Sequence, residues 1–134
     1  MSKSTDGQKK KILIVEDHPD LRELISDTLR LEGWATVVAG GAEDAVRVAR
    51  SVSVNVVLTD VLLPPTSGVA LEQLFKADPV LAHIPFVFMS GFEPHLEQVG
   101  RERSLLKPFA TTELCAMLAS VTYDELHTLP LAAN

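Results

Sequence analysis

The sequence predicts an α/β fold, a doubly wound parallel sheet of five strands with helices on both of its faces. Short apolar runs alternate with longer stretches in which apolar residues recur at helical spacing, a pattern typical of repeated β-α-β units. Several of these runs are continuously apolar and rich in β-branched residues, which indicates strands buried on both faces, as in a parallel sheet. The chain of 134 residues is long enough to bury such a core as one domain.

The composition is that of an ordinary globular protein, with 46% hydrophobic and 22% charged residues. The net charge of -6 argues against nucleic acid as a primary partner. No apolar run approaches the roughly 20 residues that a membrane span requires, and residues 1–7 lack the apolar segment of a secretory signal. The single cysteine, Cys115, excludes an internal disulfide and fits a reducing compartment. We therefore expect a cytoplasmic protein.

One domain is expected over residues 11–122, between a flexible tail at residues 1–10 and a second tail at residues 123–134. The chain shows no internal repeat and no linker toward a second domain. Three of the histidines, His83, His95 and His127, are scattered and show no metal-ligand spacing. His18 follows the acid pair directly, which raises the alternatives of a metal ligand or a phosphodonor. We expect His18 to face solvent.

The first strand is predicted over Lys11–Val15, and two acids, Glu16 and Asp17, follow it at once. Asp17 or Asp20 is predicted to cap the first helix, because a short polar side chain there accepts a hydrogen bond from a free backbone N–H group. Gly33 is predicted to end that helix. The acid pair therefore lies at a strand-to-helix junction.

The second strand is predicted over Trp34–Ala39 and a short helix over Ala42–Arg50. The central strand, Val54–Asp60, ends on a carboxylate, and the Pro-Pro pair and glycine beyond it force the chain into a loop. Ser67 is predicted to cap the next helix. In an open α/β sheet, ligands bind at the carboxyl ends of the strands, so Asp60 lies where chemistry is expected. The alternative is that Asp60 only caps the turn after its strand.

The fourth strand, Ile84–Met89, delivers Ser90 to the same end of the sheet. Residues 92–100 include an internal proline and are predicted to form a short or irregular fourth helix. A brief last strand, Arg103–Leu106, ends at Lys107. Thr111 or Thr112 is then predicted to cap the last helix.

Five strands alternating with five helices is the flavodoxin-like number, for which the strand order is 2-1-3-4-5. Strands 1 and 3 are neighbours in this order, so Glu16 and Asp17 are predicted to lie beside Asp60. Clustered carboxylates repel one another, and a hard cation such as Mg2+ offsets that repulsion. Ser90 and Lys107, at the same end, suit a phosphoryl group, whose transfer depends on positioning and charge stabilisation. Asp60 is the candidate nucleophile for an aspartyl phosphate.

These residues give the sequence a specific resemblance to response-regulator receiver domains, over residues 10–122. Each matching segment is weak alone, whereas their order, spacing and strand-end placement together are specific. The matching segments are Ile14-Val15-Glu16-Asp17, Asp60 with Pro64 and Gly68 at their usual offsets, Met89-Ser90-Gly91, and Lys107-Pro108-Phe109.

The resemblance implies a Mg2+ site formed by Glu16, Asp17, Asp60 and the backbone carbonyl of Leu62. It also implies that Asp60 is the phosphoacceptor, that Ser90 supplies the hydroxyl that moves onto the phosphoryl group, and that Lys107 pairs with that group. From the same resemblance we expect the peptide bond between Lys107 and Pro108 to be cis.

The sequence also departs from the family pattern. An aromatic residue usually lies three positions before the lysine and acts as a rotameric output switch, whereas this chain has Ser104 there. Phe92, two residues after Ser90, is a candidate replacement. Leu62 and Phe92 occupy positions that flank the attacking water in the family, and neither side chain can orient a water molecule. We therefore predict slow self-dephosphorylation.

The resemblance implies a signalling protein rather than a conventional enzyme. It would accept a phosphoryl group from a histidine kinase or a histidine phosphotransfer protein and act on a downstream protein, as a monomer or weak dimer without a DNA-binding output domain. It could be free-standing or belong to a hybrid kinase. One alternative is an interaction module that no longer responds to phosphate. Another, a haloacid-dehalogenase-like phosphatase, needs a second acid two residues after the nucleophile, where this chain has Leu62.

Overall fold

The structure, a computed structural model, describes the backbone of residues 9–133 and the side chains of residues 9–122. The predicted tail at residues 1–10 therefore lies mostly outside the described residues. The strands are β1 (Lys11–Val15), β2 (Ala35–Ala39), β3 (Val56–Asp60), β4 (Leu62–Leu63), β5 (Thr66–Ser67), β6 (Phe86–Ser90) and β7 (Ser104–Leu106). The helices are α1 (Pro19–Leu31), α2 (Ala42–Ser51), α3 (Gly68–Lys76), α4 (Glu93–Val99) and α5 (Thr111–Ala133), with a short 3-10 helix at Arg101–Arg103. None of the helices within this described part of the chain is both long and apolar enough to cross a membrane.

Five strands form one parallel sheet in the order β2-β1-β3-β6-β7, which confirms the predicted fold class and strand order. The three central strands, β1, β3 and β6, are almost completely buried because helices cover both faces of the sheet, whereas the edge strands β2 and β7 are partly exposed. In the register, Val15 pairs with Thr59, Asp60 with Met89 and Ser90 with Leu106. The carboxyl ends of β1, β3 and β6 therefore lie side by side.

The core has two layers because successive strand side chains point to opposite faces of the sheet. On one face Leu13 and Val15 pack with α2 and α3, in a cluster that includes Phe75 and Phe86. On the other face Ile12, Ile14 and Met89 are among the β-strand residues that pack against α1 and α5. With both faces covered, the functional groups lie at the ends of the strands.

Two of the predicted helix caps are wrong, and one is confirmed. Helix α1 begins at Pro19, so the residue before it, His18, holds the cap position and Asp20 lies within the first turn. Proline fits this first turn because its missing N–H would have no partner there. Helix α5 begins at Thr111 itself, and the Glu113 carboxylate accepts a hydrogen bond from the N–H of Ala110. Ser67 caps α3 as predicted, accepting from the N–H of Ala70 at 3.0 Å.

Three other features refine the sequence interpretation. The segment after β3 was predicted as a plain loop, whereas β4 and β5 pair there as a short antiparallel ladder. Helix α4 is only seven residues long, which confirms the predicted short fourth helix. Helix α5 continues to Ala133, past the predicted domain boundary at residue 122. The tail predicted at residues 123–134 stays a prediction.

Candidate functional site

The sheet brings together the residues that the sequence singled out. Glu16 and Asp17 follow β1, Asp60 ends β3, Ser90 ends β6 and Lys107 follows β7. All five line one cleft of about 280 Å3, together with His18, Leu62, Pro64, Met89 and Gly91. The predicted convergence of these groups at one end of the sheet is thus a feature of the structure.

Lys107 is the cation that binds the two buried acids of the cleft. Its Nζ lies 2.6 Å from Oδ1 of Asp60 and 3.2 Å from Oε1 of Glu16. Glu16 is 1% exposed and Asp60 is 6% exposed, so neither carboxylate is screened by bulk water. The peptide bond between Lys107 and Pro108 is cis, as expected, and the Lys107 N–H donates to the carbonyl of Ser90 at 2.8 Å.

The pKa shifts of these groups indicate that the cleft carries excess negative charge. Burial, together with the hydrogen bond to Glu16 and its charge, raises the pKa of Asp60 to about 8 despite the opposing effect of Lys107. Burial would also raise the pKa of Glu16, but hydrogen bonds from Asp60 and the His18 N–H, with Lys107, outweigh it and hold that pKa below its usual value. Burial opposes the charge of Lys107, yet the two acids raise the pKa of its ammonium group. One lysine does not offset the burial and mutual repulsion of the two acids, so the pKa of Asp60 stays above its usual value.

Asp17 and His18 complete the acidic side of the cleft. One carboxylate oxygen each from Glu16 and Asp17 and a ring nitrogen of His18 lie within 4.8 Å of one another. The His18 backbone N–H donates to Oε2 of Glu16 at 3.1 Å, and Arg22 donates to the Glu16 carbonyl at 2.8 Å. These bonds fix the turn between β1 and α1. The side chain of His18 is 79% exposed, which confirms its predicted solvent-facing position.

The donor set fits Mg2+. Oxygen ligands from carboxylates suit a hard divalent cation, which usually retains water and takes one or two carboxylates in a phosphoryl-transfer site. Glu16, Asp17 and Asp60 supply such oxygens, and the raised pKa of Asp60 reflects repulsion between acids that a second cation would offset. Leu62 lines the same cleft.

Gly68 lets α3 pass directly beside Asp60. A Cβ atom at Gly68 would lie 2.1 Å from the Asp60 carbonyl oxygen and 3.1 Å from Cγ2 of Thr59. The Gly68 N–H donates to the carbonyl of Val61 at 2.8 Å, and the Thr59 hydroxyl donates to the Asp60 carbonyl at 3.0 Å. The backbone that carries Asp60 is therefore fixed from two sides.

Ser90 has a partner that the sequence reasoning missed. Its Oγ lies 2.7 Å from Nδ1 of His95 and accepts a hydrogen bond from the N–H of Phe92 at 3.0 Å. The rings of His95 and Phe92 pack edge to face, with centroids 4.9 Å apart. His95 does not lie at metal-ligand spacing from another histidine, so the search for metal ligands did not identify it. The signal that could have found it is its position one turn into a helix that starts just after Ser90.

Ser104, which the sequence analysis identified as a departure from the expected aromatic, is buried. It is 5% exposed and its hydroxyl donates to the Gly100 carbonyl at 2.8 Å. Next to it, Arg103 makes a two-pronged ion pair with the buried carboxylate of Glu72 on α3, and it stacks over the ring of Phe88 at 5.0 Å. These contacts hold the end of α4 against the sheet and leave the serine enclosed.

Leu62, which lines the cleft, and Phe92, which lies two residues after Ser90 at the start of α4, are both exposed apolar side chains. Leu62 is 63% exposed and Phe92 is 57% exposed. Leu62 lines the cleft beside Asp60, and Phe92 follows the loop from Ser90 into α4. Neither side chain carries a polar atom that could orient water near the acids.

Comparison with known families gives a match over most of the chain. The family model described as "Response regulator receiver domain" matches residues 12–119. Among curated relatives, the probable transcriptional regulatory protein TcrX of Mycobacterium tuberculosis is 33% identical over 119 residues, which cover 87% of this chain and 51% of the relative. The phosphate regulon transcriptional regulatory protein PhoB of Pseudomonas aeruginosa is 33% identical over 117 residues, covering 84% and 51%. The chain spans about half the length of these relatives.

Solved structures share the same fold. The chemotaxis response regulator CheY4 of Vibrio cholerae superposes with a TM-score of 0.75 at 24% identity, over 84% of this chain and 98% of that one. The receiver domain of the sensor histidine kinase PA1611 from Pseudomonas aeruginosa superposes with a TM-score of 0.75 at 26% identity, over 85% and 98%. The latter structure is described with a magnesium ion coordinated in its active-site cleft.

Proposed function

The chain belongs to the response-regulator receiver family of two-component signalling, and we propose that Asp60 is the residue that accepts its phosphoryl group. The observation that carries this proposal is the buried Asp60 carboxylate, which lies at the end of the central strand and 2.6 Å from Lys107 Nζ. The neighbouring acids and the Ser90 hydroxyl line the same cleft. Such a domain is a signalling module that catalyses only its own phosphotransfer and slow self-dephosphorylation.

We propose that Glu16, Asp17, Asp60 and the backbone carbonyl of Leu62 hold Mg2+. When bound, the ion would supply positive charge to the phosphoryl oxygens as negative charge shifts during transfer. The excess acidity of the cleft, and the magnesium found in the cleft of the PA1611 receiver domain, support this assignment.

In the proposed reaction, a carboxylate oxygen of Asp60 attacks the phosphorus of a phosphohistidine on the donor protein. The new P–O bond forms as the P–N bond breaks, and the imidazole, which carries a proton on its other nitrogen, keeps the electron pair of the broken bond and leaves as a neutral ring. Lys107, already bound to Asp60, then pairs with a phosphoryl oxygen and neutralises part of its charge. Ser90 donates its hydroxyl proton in a hydrogen bond to another phosphoryl oxygen.

The proposed donors are a histidine kinase or a histidine phosphotransfer protein, and the proposed output is contact with a downstream protein. The curated relatives include proteins named as transcriptional and DNA-binding regulators. The net charge of -6 favours a protein rather than nucleic acid as the direct partner of this domain. We place this exchange in a reducing, cytoplasmic compartment, in keeping with the single cysteine.

A second candidate is a module that binds its partner without responding to phosphate. The observation that favours it is the enclosed Ser104, which leaves no aromatic side chain at that position to move between two environments. Partner binding that is unaffected by substitution of Asp60 would support this candidate.

The test is the intact mass of the protein after incubation with acetyl phosphate, with and without Mg2+. Wild type is expected to gain a single phosphoryl adduct that requires Mg2+. Asp60→Ala should gain none, whereas Asp20→Ala, which removes an exposed acid of α1, should behave as wild type. An unmodified wild type would favour the phosphate-independent module, and an adduct that persists in Asp60→Ala would refute Asp60 as acceptor.

A further inference from the structure

The Ser90 hydroxyl has only one proton, so it must break its present donated hydrogen bond before it can donate to a phosphoryl oxygen. Within the described part of the chain, Oγ contacts the Phe92 N–H at 3.0 Å, the Phe92 carbonyl at 3.4 Å and Nδ1 of His95 at 2.7 Å. Because Oγ already accepts from the Phe92 N–H, its proton needs an acceptor. The nearest polar atom is Nδ1 of His95, which accepts this proton when the imidazole carries its own proton on Nε2, and we assign Ser90 as the donor on that basis.

We propose that His95 is a positioning residue that holds the Ser90 hydroxyl away from the phosphoryl site, and that phosphorylation of Asp60 breaks this bond and frees the Phe92–His95 pair. The proposal rests on the function proposed for Asp60. It identifies the element that responds, which is the first turn of α4.

The backbone around Ser90 restricts the change to a side-chain rotation. Ser90 ends β6, where it pairs with Leu106 of β7 and its carbonyl accepts from the Lys107 N–H at 2.8 Å. Strand β6 also pairs with β3 up to Asp60. The main chain is thus fixed between two strands, and only rotation about χ1 can carry the hydroxyl from His95 toward Asp60.

The loss of this bond acts directly on α4. His95 lies in the first turn, where its N–H donates to the Phe92 carbonyl at 3.0 Å, and its half-buried ring packs edge to face against Phe92. The other end of the helix is held, since Arg103 donates to the Val99 carbonyl at 2.8 Å and pairs with Glu72. Only the starting turn, with the exposed Phe92 ring, depends on Ser90.

Nδ1 of His95 and a phosphoryl oxygen on Asp60 compete for the same Ser90 proton, and this competition sets the expected change in affinity. The bond to His95 stabilises the state without a phosphoryl group, so removing it should favour the phosphorylated arrangement. One such hydrogen bond corresponds to about a fivefold change in an equilibrium constant. The Phe92 carbonyl, at 3.4 Å, is too distant to replace it fully.

The test measures the affinity for beryllium fluoride, a phosphoryl analogue, in the presence of Mg2+. His95→Leu removes the acceptor and is expected to bind about five times more tightly than wild type. His95→Asn should lie close to wild type, because its side-chain oxygen can occupy the place of Nδ1. His83→Leu, at an exposed histidine far from the cleft, is the matched control. Equal affinities of wild type and His95→Leu would overturn the proposal.

A second readout separates this role from a merely structural one. The imidazole nitrogens of His95, observed by NMR, should show Nδ1 as a hydrogen-bond acceptor in the free protein and lose that signature when beryllium fluoride saturates the site. Ser90→Ala should show the changed signature from the start. An unchanged His95 signal in wild type that binds the analogue would overturn this inference alone. Wild type that neither binds the analogue nor accepts phosphate would refute the proposed function instead.

Discussion

Gly68→Ala tests how closely the start of α3 supports the phosphoacceptor. The added Cβ would lie 2.1 Å from the Asp60 carbonyl oxygen, far inside the 3.4 Å at which ordinary van der Waals contact begins. Because this neighbour is backbone and cannot rotate away, the strand end that carries Asp60 has to shift.

The change in the free energy of unfolding of Gly68→Ala is the difference between two opposing contributions. Overpacking of this kind costs up to about 3 kcal/mol, whereas alanine in place of glycine contributes at most about 1 kcal/mol of stability at the first residue of a helix. We therefore expect the free energy of unfolding of Gly68→Ala to fall by about 2 kcal/mol. We also expect slower uptake of phosphate, because Asp60 moves relative to Lys107.

Urea unfolding followed by circular dichroism measures the first effect, and the rate of adduct formation from acetyl phosphate measures the second. Gly91→Ala is the matched control for stability, since a Cβ there meets nothing within 4 Å. It should unfold at the same or slightly higher urea concentration than wild type. Gly68→Ala with wild-type stability and wild-type phosphate uptake would refute the reasoning.

Four further predictions concern the cleft and α4. Arg103→Leu should lower the free energy of unfolding by about 3 kcal/mol, because it leaves the buried Glu72 carboxylate poorly compensated; Glu72→Gln should cost less, and urea unfolding compares the two. Lys107→Met should slow adduct formation from acetyl phosphate by about 100-fold, because it removes the cation bound to Asp60. Wild type should keep its adduct for many minutes by intact mass, and Leu62→Gln should shorten that time by placing a polar group beside the cleft. Ser104→Tyr should destabilise the protein by about 1 kcal/mol in thermal or urea unfolding, because the buried serine hydroxyl loses its hydrogen bond to the Gly100 carbonyl.

Each of these four predictions has a result that would contradict it. Equal stabilities of Arg103→Leu and Glu72→Gln would show that the ion pair does not compensate the buried charge. An undiminished rate in Lys107→Met would remove the lysine from the site. Decay of the wild-type adduct within seconds would contradict the role given to Leu62. A stable Ser104→Tyr variant would show that the position can accept the family's usual aromatic.

The fold and the main site residues could be predicted from the sequence because both depend on patterns that are continuous along the chain. Apolar runs such as Lys11–Val15 mark the strands, and their carboxyl ends are marked by Asp60, Ser90 and Lys107. Once the strand order is assigned, these ends meet without any further assumption.

The details that the sequence could not give depend on contacts between elements. The cap of α1 was misassigned because Asp17 and Asp20 are both good capping residues, whereas the deciding factor is Pro19 in the first turn. His95 was missed because its partner is a hydroxyl across a loop rather than a metal. The ion pair between Arg103 and Glu72 joins residues 31 positions apart and has no local signature.

The most direct test of the account asks which residue carries the phosphoryl group. Borohydride reduces an acyl phosphate to a primary alcohol, so treatment of the Mg2+- and acetyl-phosphate-incubated protein should convert the acceptor aspartate to homoserine, and peptide mass mapping then locates it. We predict homoserine at Asp60 and at no other acid of the cleft. Homoserine at Asp17, or at none of these positions, would contradict the central claim.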